Sequence, residues 1–275
     1  MPHLEVPGAS LHYETDGHVS APAVLLIHAG VATLRMWDPL VERLAAGHFV
    51  VRFDTRGFGR TSTANVAFSD RRDARTLLDH LGIERALVIG CSRGGRIAID
   101  LAVETPERVT GLVTIGSGPS GFPEVDITDV EQTLCDRLDP AYKAKDWPLV
   151  NRLETELWSI GPTRRAEDLD PAFVALAYEL NRPNAAHGDD APIDVPLDPP
   201  AYGRVVDIEA PALVTVGEFD VSVAIAQQAY LAAKIPHAEG YIFKDTAHIP
   251  SVEHPDAFLQ VLTDWMTRNG LSATP

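Results

Sequence analysis

A serine flanked by glycines, between an apolar run and an amphipathic run, constrains the fold of this chain more than any other feature. In residues 84–104, Gly90 and Gly94 lie on either side of Ser92. The apolar run before them is typical of a buried strand, and the helical spacing of the apolar residues after them predicts a helix. A sharp strand-to-helix turn holds a hydroxyl clear of the backbone only when its neighbours nearly lack side chains. Ser92 is therefore predicted to be a nucleophile.

The turn after Ser92 also predicts an anion-binding amide. The N–H of Arg93 begins the following helix and would face an oxyanion that forms when Ser92 attacks a carbonyl carbon. The alternative is a glycine-rich phosphate loop with a bystander serine. No Gly-Lys-Ser or Gly-Lys-Thr follows, and the first βαβ unit lacks the dinucleotide-binding glycine spacing. The sequence thus favours the nucleophile.

Strand-like and helix-like segments alternate on both sides of this turn. A hairpin is predicted at 3–16, strands at 23–28, 49–53, 86–90, 109–115, 211–216 and 239–243, and helices at 36–46, 69–81, 93–104, 222–233 and 254–268. Such alternation indicates right-handed crossovers and a mostly parallel sheet, which is an α/β fold.

The alternation stops between about 118 and 206. This stretch has helical segments interrupted by prolines, and 181–203 is so rich in Pro and Asp that irregular backbone is expected. We predict one α/β core made of residues 1–117 and 207–275, with 118–206 inserted as a mainly helical cap.

A serine nucleophile needs a base and an acid that orients the base. Asp220 follows strand 211–216 at the sheet edge where Ser92 is expected, and it is the predicted acid. Glu218, which lies closer to the strand end, is the competing candidate. A further alternative is that Asp220 only caps the next helix.

The predicted base is His248, in the loop after strand 239–243. The chain has 10 histidines, so position decides between them. His237 precedes a strand at the opposite edge, and His254 begins the last helix.

The loop after strand 23–28 is predicted to supply a second oxyanion donor. It reads His28-Ala29-Gly30, and the Gly30 amide is the preferred donor, with the amides of Ala29 and Val31 as alternatives. His28 is expected to hold this loop by hydrogen bonds.

Taken together, these segments resemble the α/β-hydrolase superfamily over essentially the whole chain. The matching motifs are LLIHAG at 25–30, FDTRGFGRTS at 53–62, IGCSRGG at 89–95, GEFD at 217–220 and TAH at 246–248. The resemblance implies a mostly parallel eight-stranded sheet with helices on both faces and a helical cap. It also implies that Asp54 and Arg56 pair to fix a structural loop. The phrases LRMWDPL and LLDHLGIERALVIG look like enol-lactonase and small-ester hydrolase sequences.

Two positions depart from the superfamily pattern. Ala29 replaces the usual glycine after the strand-end histidine, which leaves the second oxyanion donor open. Arg93 stands where glutamine, methionine or leucine is common. Its side chain is expected either to meet a carboxylate or carbonyl of the substrate or to pair with an acid in the cap.

The expected function is hydrolysis of an ester or lactone of a small, largely apolar substrate that bears a carbonyl, with no cofactor and no metal. The alternatives are carbon–carbon bond hydrolysis or lyase chemistry with the same triad, and a non-catalytic small-ligand receptor. The candidates for the wall of the substrate pocket are Ala29, Val31, Trp147, Trp158, Phe173 and Tyr178.

Net charge and cysteine content limit the partners and the cell compartment that we expect. A net charge of −16 argues against nucleic acid and anionic membranes as partners. The chain has 2 cysteines without metal-like spacing, which indicates a reducing compartment. With no signal-like N-terminal run, a cytoplasmic location is expected. No pattern in the sequence indicates an oligomeric state.

Overall fold

A computed structural model describes residues 2–272, and the predicted core ranges extend beyond it at both ends. The strands are β1 (His3–Val6), β2 (Ala9–Asp16), β3 (Ala23–Ile27), β4 (Phe49–Phe53), β5 (Ser62–Thr63), β6 (Ala67–Phe68), β7 (Ala86–Cys91), β8 (Val109–Ile115), β9 (Ile193–Asp194), β10 (Ala212–Gly217) and β11 (Ala238–Phe243).

The helices lie largely where the apolar spacing predicts them. They are α1 (Asp38–Ala45), α2 (Asp70–His80), α3 (Arg93–Glu104), α4 (Asp129–Ala144), α5 (Trp147–Glu154), α6 (Pro171–Asn181), α7 (Ser222–Lys234), α8 (Pro250–Glu253) and α9 (Pro255–Arg268). A π-helical turn (Thr155–Ile160) continues α5, and several short 3₁₀ turns join the other elements. None of the described helices is both long and apolar enough to cross a membrane.

The main sheet confirms the predicted α/β fold. Its strands follow the order β1-β2-β4-β3-β7-β8-β10-β11, with β5 beside β2. The pairs β4–β3, β3–β7, β7–β8, β8–β10 and β10–β11 are parallel, and the hairpin at the β1 end is antiparallel. The carboxyl ends of β3, β7, β8, β10 and β11 therefore meet at one edge of the sheet.

Helices cover both faces of the sheet. Alternate strand residues point to opposite sides, so that Val88 joins the core under α2, α3 and α7, whereas Ile89 joins the core under α1 and α9. Both strand faces are buried, which explains why the sequence shows continuous apolar runs in place of alternation.

The insertion contains α4, α5, the π-helical turn and α6, and it packs on the main body by a separate apolar cluster. That cluster joins Leu153 and Leu157 to Val216 of β10 and Val221. A two-residue strand pair, β6 with β9, also links the insertion to the core. Ala201 and Val205, which the predicted division places in the cap, are buried in the main core.

The loop after β4 differs from the expectation that the resemblance gave. Asp54 does not pair with Arg56: the Asp54 carboxylate accepts hydrogen bonds from the amides of Leu34 (2.8 Å) and Arg60 (2.9 Å). Arg56 instead donates from Nε (2.6 Å) and Nη2 (3.0 Å) to the buried carboxylate of Asp73 in α2. Both side chains still fix the loop, but each does so through another partner.

The buried Arg56–Asp73 pair predicts a large effect on stability. Asp73→Ala should lower the free energy of unfolding by about 3–5 kcal/mol, because it leaves the guanidinium buried without its carboxylate. Asp79→Ala, in the same helix, removes an exposed partner of Arg108 and should cost at most about 1 kcal/mol. Urea unfolding at pH 8 measures both variants. Equal losses would show that burial of the pair does not matter.

Candidate active site

Ser92 lies in a strained turn between β7 and α3. Its backbone has φ 52° and ψ −117°, a conformation that residues with a side chain rarely adopt. The Ser92 amide donates to the carbonyl of Ile115 (2.8 Å), and the Ser117 hydroxyl donates to the carbonyl of Ser92 (2.6 Å). The end of the neighbouring strand β8 and the segment just after it thus hold the turn in place.

The glycines of the motif are needed because backbones meet here. A Cβ atom at Gly90 would overlap the carbonyl of Gly94, and one at Gly94 would overlap the carbonyl of Ile27 at the end of β3. The spacing Gly90-x-Ser92-x-Gly94 therefore reflects close packing of β7, α3 and β3.

His248 and Asp220 meet beside this turn, from the loops that follow β11 and β10. The Nδ1 atom of His248 lies 2.8 Å from Oδ1 of Asp220, and both side chains are almost wholly buried. Since an ionised carboxylate only accepts hydrogen bonds, Nδ1 is the protonated nitrogen and Nε2 carries the lone pair. The Nε2 atom is buried and has no hydrogen-bond partner among residues 2–272.

Asp220, and not Glu218, is the carboxylate at the imidazole. Glu218 is bound by the Lys244 ammonium (2.6 Å) and by the amide of Asp245 (3.3 Å). Asp220 accepts a hydrogen bond from the adjacent amide of Val221 (2.8 Å), whereas the first amide of α7, that of Ser222, donates to the carboxylate of Glu131 (2.6 Å).

Ser92 and His248 line the same cavity, of about 350 Å³. Its wall also includes Gly116, Ser117, Gly118, Pro119, Arg93, Arg96, Trp158, Val223, Ala224 and Gln227. The structure thus brings the predicted nucleophile and base to one cavity at the carboxyl edge of the sheet.

Gly116, just after β8, was missed by the sequence analysis. It has φ +55°, and a Cβ atom there would lie 2.8 Å from both Asp220 Oδ2 and His248 Nδ1. Only glycine leaves room for the two side chains to meet. The available signal was a glycine directly after strand 109–115, at the same edge as Ser92.

The insertion contacts the imidazole through Trp158. The two rings lie 4.7 Å apart between centroids, and the amide of His248 donates to the carbonyl of Trp158 (3.3 Å). Trp158 belongs to the π-helical turn, a local irregularity that is frequent at functional sites.

Hydrogen bonds fix the loop that carries Gly30. His28 donates from Nδ1 to the carbonyl of Ala29 (2.7 Å) and accepts at Nε2 from the amide of Thr55 (3.0 Å). Burial lowers the pKa of His28, which agrees with this neutral form. From the insertion, the Asn184 amide group donates to the carbonyls of Ala32 (3.2 Å) and Gly30 (3.5 Å).

Two of the three candidate oxyanion amides remain unbonded. The Ala29 amide points at the sulfur of Met36 (3.3 Å). Within the described chain, the amides of Gly30 and Val31 donate no hydrogen bond. A Cβ atom at Gly30 would lie 4.0 Å from Cβ of Arg93, so the two predicted donor residues are neighbours.

Arg93 binds a carboxylate of the main body, not one of the cap. Its Nη2 atom donates to both oxygens of Asp70 at the start of α2 (2.7 and 2.9 Å), and its guanidinium lies over the Phe58 ring at 5.3 Å. The sequence did not reveal this pair because 23 residues separate the partners.

The predicted pocket residues lie in different surroundings. Trp158 lines the cavity of Ser92, and Trp147 lines another cavity of about 310 Å³ that Gly30 borders. Ala29, Val31 and Phe173 are buried in the core cluster under α1 and α9, and Tyr178 lies against α5, where its carbonyl accepts from Asn151. The apolar spacing around Phe173 on an insertion helix therefore reflects packing in the core and not a cavity wall.

Cys91 precedes Ser92 at the end of β7. Burial raises the pKa of the Cys91 thiol well above its ordinary value, so it packs as a neutral side chain. Residues 2–272 contain no group of three or more His, Cys, Asp or Glu side chains placed to hold a metal ion.

Comparison with known proteins gives matches over nearly the whole chain. A family model described as alpha/beta hydrolase fold matches residues 22–255. A pimeloyl-[acyl-carrier protein] methyl ester esterase of Aliivibrio salmonicida is 27% identical over 255 residues, covering 92% of this chain and 94% of the relative.

Two further relatives are named for other substrates. A 3-oxoadipate enol-lactonase of Acinetobacter baylyi is 25% identical, with 96% of each chain covered. A 2-hydroxy-6-oxononadienedioate/2-hydroxy-6-oxononatrienedioate hydrolase of Klebsiella pneumoniae is 30% identical, covering 84% of this chain and 80% of the relative.

The Arg93–Asp70 pair predicts a pH-dependent term in stability. Burial raises the pKa of Asp70 from 3.8 to about 6, although Arg93 acts in the opposite direction. The folded chain then holds this proton more tightly than the unfolded chain, so the contribution of Asp70 is greatest at low pH and is lost as the pH rises through 6. The unfolding free energy of the wild type minus that of Asp70→Asn should fall by about 1.4 kcal/mol between pH 5 and pH 8.

Chemical denaturation at several pH values measures this difference. Asp256→Asn, at an exposed carboxylate, controls for the change in net charge. A difference that rises with pH would mean that the attraction of Arg93 outweighs burial at Asp70.

Proposed function

The chain belongs to the α/β-hydrolase fold family, and from this membership we propose that it is a serine hydrolase that cleaves an ester or lactone of a small carbonyl substrate. One observation carries the proposal: an imidazole oriented by Asp220, with its other nitrogen unbonded, lines the cavity that contains Ser92. The ester and lactone chemistry is supported by the names of two relatives.

In the proposed first step, Nε2 of His248 takes the proton of the Ser92 hydroxyl as Oγ attacks the carbonyl carbon. Asp220 holds the imidazole in the required tautomer and stabilises the imidazolium. The tetrahedral oxyanion is bound by the amides of Arg93 and Gly30, with the Val31 amide as the alternative to Gly30.

In the second half of the reaction, the imidazolium gives its proton to the leaving oxygen and an acyl-Ser92 remains. Water attacks this ester with His248 as base, and the acid product leaves. Residues 118–206 are proposed to act as a cap over the site, because Trp158 from this stretch packs on the imidazole.

Carbon–carbon bond hydrolysis is the second candidate, supported by the relative that is 30% identical. The same serine, histidine and aspartate would serve it, with a carbon leaving group protonated in place of oxygen. Assays with ester substrates and with 1,3-diketone substrates, whose carbon leaving group is a stabilised enolate, distinguish the two activities.

The nucleophile is tested by a fluorophosphonate probe and by Ser92→Ala. The probe should form one adduct, at Ser92 and not at Ser117, whose hydroxyl in the same cavity is occupied as a hydrogen-bond donor. Ser92→Ala should lower kcat/KM for p-nitrophenyl esters by about three orders of magnitude or more and keep its circular dichroism spectrum. A folded protein that is never labelled would favour the non-catalytic receptor.

The Asp220–His248 contact is tested at Gly116. Gly116→Ala should lower kcat/KM by about 100-fold or more, because the new methyl group separates the imidazole from the carboxylate. Gly82→Ala is the matched control: Gly82 also has positive φ (+69°), but open space surrounds its Cβ position. It should lose about 1 kcal/mol of stability without loss of activity. Full activity of Gly116→Ala would contradict the proposed role of the pair.

A further inference from the structure

Two arginines line the cavity of Ser92, and they differ in how they are bound. Arg93 is held by both oxygens of Asp70. The guanidinium of Arg96 makes no hydrogen bond within the described residues, and its side chain is 39% exposed. Among residues 2–272, the only carboxylate within 4 Å of it is that of Asp194, at 3.6 Å. Charge-assisted hydrogen bonds are closer to 2.7–2.9 Å, so this contact is a loose one.

Arg96 lies one helical turn beyond the nucleophile. Its amide donates to the carbonyl of Ser92 (3.1 Å), and both residues line the same cavity. A guanidinium here therefore reaches groups a few bonds from a carbonyl carbon bound at Ser92.

A second unpartnered polar group lines the same cavity. The carboxamide of Gln227 in α7 packs over Gly118 and makes no hydrogen bond among residues 2–272. Gln227 and Arg96 together offer N–H donors to one cavity and have no protein acceptor there beyond the loose contact with Asp194.

The other carboxylates near Arg96 are already engaged. Asp70 is bound by Arg93, and Asp100 accepts a hydrogen bond from the Ser120 hydroxyl (2.7 Å). Asp194 is partly exposed, and a solvent-exposed pair of this kind contributes little free energy. An incoming anion can therefore displace it.

From these observations we propose that the substrate carries a carboxylate a short chain away from the scissile carbonyl, and that Arg96 binds it with the help of Gln227. The planar guanidinium matches a carboxylate by two parallel hydrogen bonds. This inference rests on the proposed hydrolase function and adds the substrate class to it. It also modifies the expectation of a largely apolar substrate, since the apolar wall formed by Trp158, Val223 and Pro119 is only one part of the cavity.

The test compares two esters of equal chain length, mono-p-nitrophenyl glutarate and p-nitrophenyl valerate, which differ in a terminal carboxylate. The wild type should prefer the glutarate at least tenfold in kcat/KM. Arg96→Gln should reduce this preference by about ten- to hundredfold, since a charge-assisted pair of hydrogen bonds is lost. Arg72→Gln removes the same charge at an exposed side chain outside the cavity and should leave both rates unchanged.

A second measurement does not depend on turnover of either ester. Glutarate should slow fluorophosphonate labelling of Ser92 in the wild type and much less in Arg96→Gln. No preference for the glutarate, or equal protection in both proteins, would overturn the inference while labelling at Ser92 still supports a hydrolase. Absence of labelling at Ser92 would instead contradict the proposed function itself.

Discussion

The close approach of backbones at the carboxyl edge of the sheet is the constraint on which the site depends. The turn at Ser92 is possible because α3 starts directly against the end of β3, where a Cβ atom at Gly94 would overlap the Ile27 carbonyl. The same condition holds at Gly217 of β10, whose Cβ position is occupied by the carbonyl of Ala247. Close packing at these glycines places the loops of Asp220 and His248 beside Ser92, and Gly116 leaves space for them to meet.

The insertion takes part in this arrangement, since it fixes the loop of His248 from outside the sheet. Arg164 donates to both oxygens of Glu253 (2.7 and 3.0 Å) and to the carbonyl of Asp245 (2.8 Å). Glu253 in turn accepts from the amide of Ala247 (3.2 Å). Both charged side chains are largely buried, so removing either one would leave the other charge buried without its partner, which costs more free energy than breaking a surface ion pair. The stretch 118–206 therefore contacts the loop of His248 through Arg164 and the imidazole through Trp158.

The fold could be predicted from the sequence, and so could the residues that meet at one edge of the sheet, because both follow from local patterns. A short stretch of sequence is enough to recognise each of these features: a continuous apolar strand, the turn at Ser92, and a residue just past the end of a strand. The partners of Arg56 and Arg93 could not be read in this way, because Asp73 and Asp70 reach them through tertiary packing of α2. The residues of the cavity wall could not be singled out for a related reason: in a sequence, apolar side chains on an inserted helix look the same whether they face a cavity or another helix.

The loop of Gly30 shows how both parts of the chain set the polarity of the site. In a trans peptide, the C=O and the N–H point in opposite directions. His28 holds the carbonyl of Ala29, which turns the Gly30 amide away from that contact, and Asn184 does the same for the peptide that carries the Val31 amide. One amide is thus oriented from the sheet and the next from the insertion. In a chain of net charge −16, these amides are free to bind an anion beside Arg93, and Arg96 adds a positive charge to the wall of the Ser92 cavity.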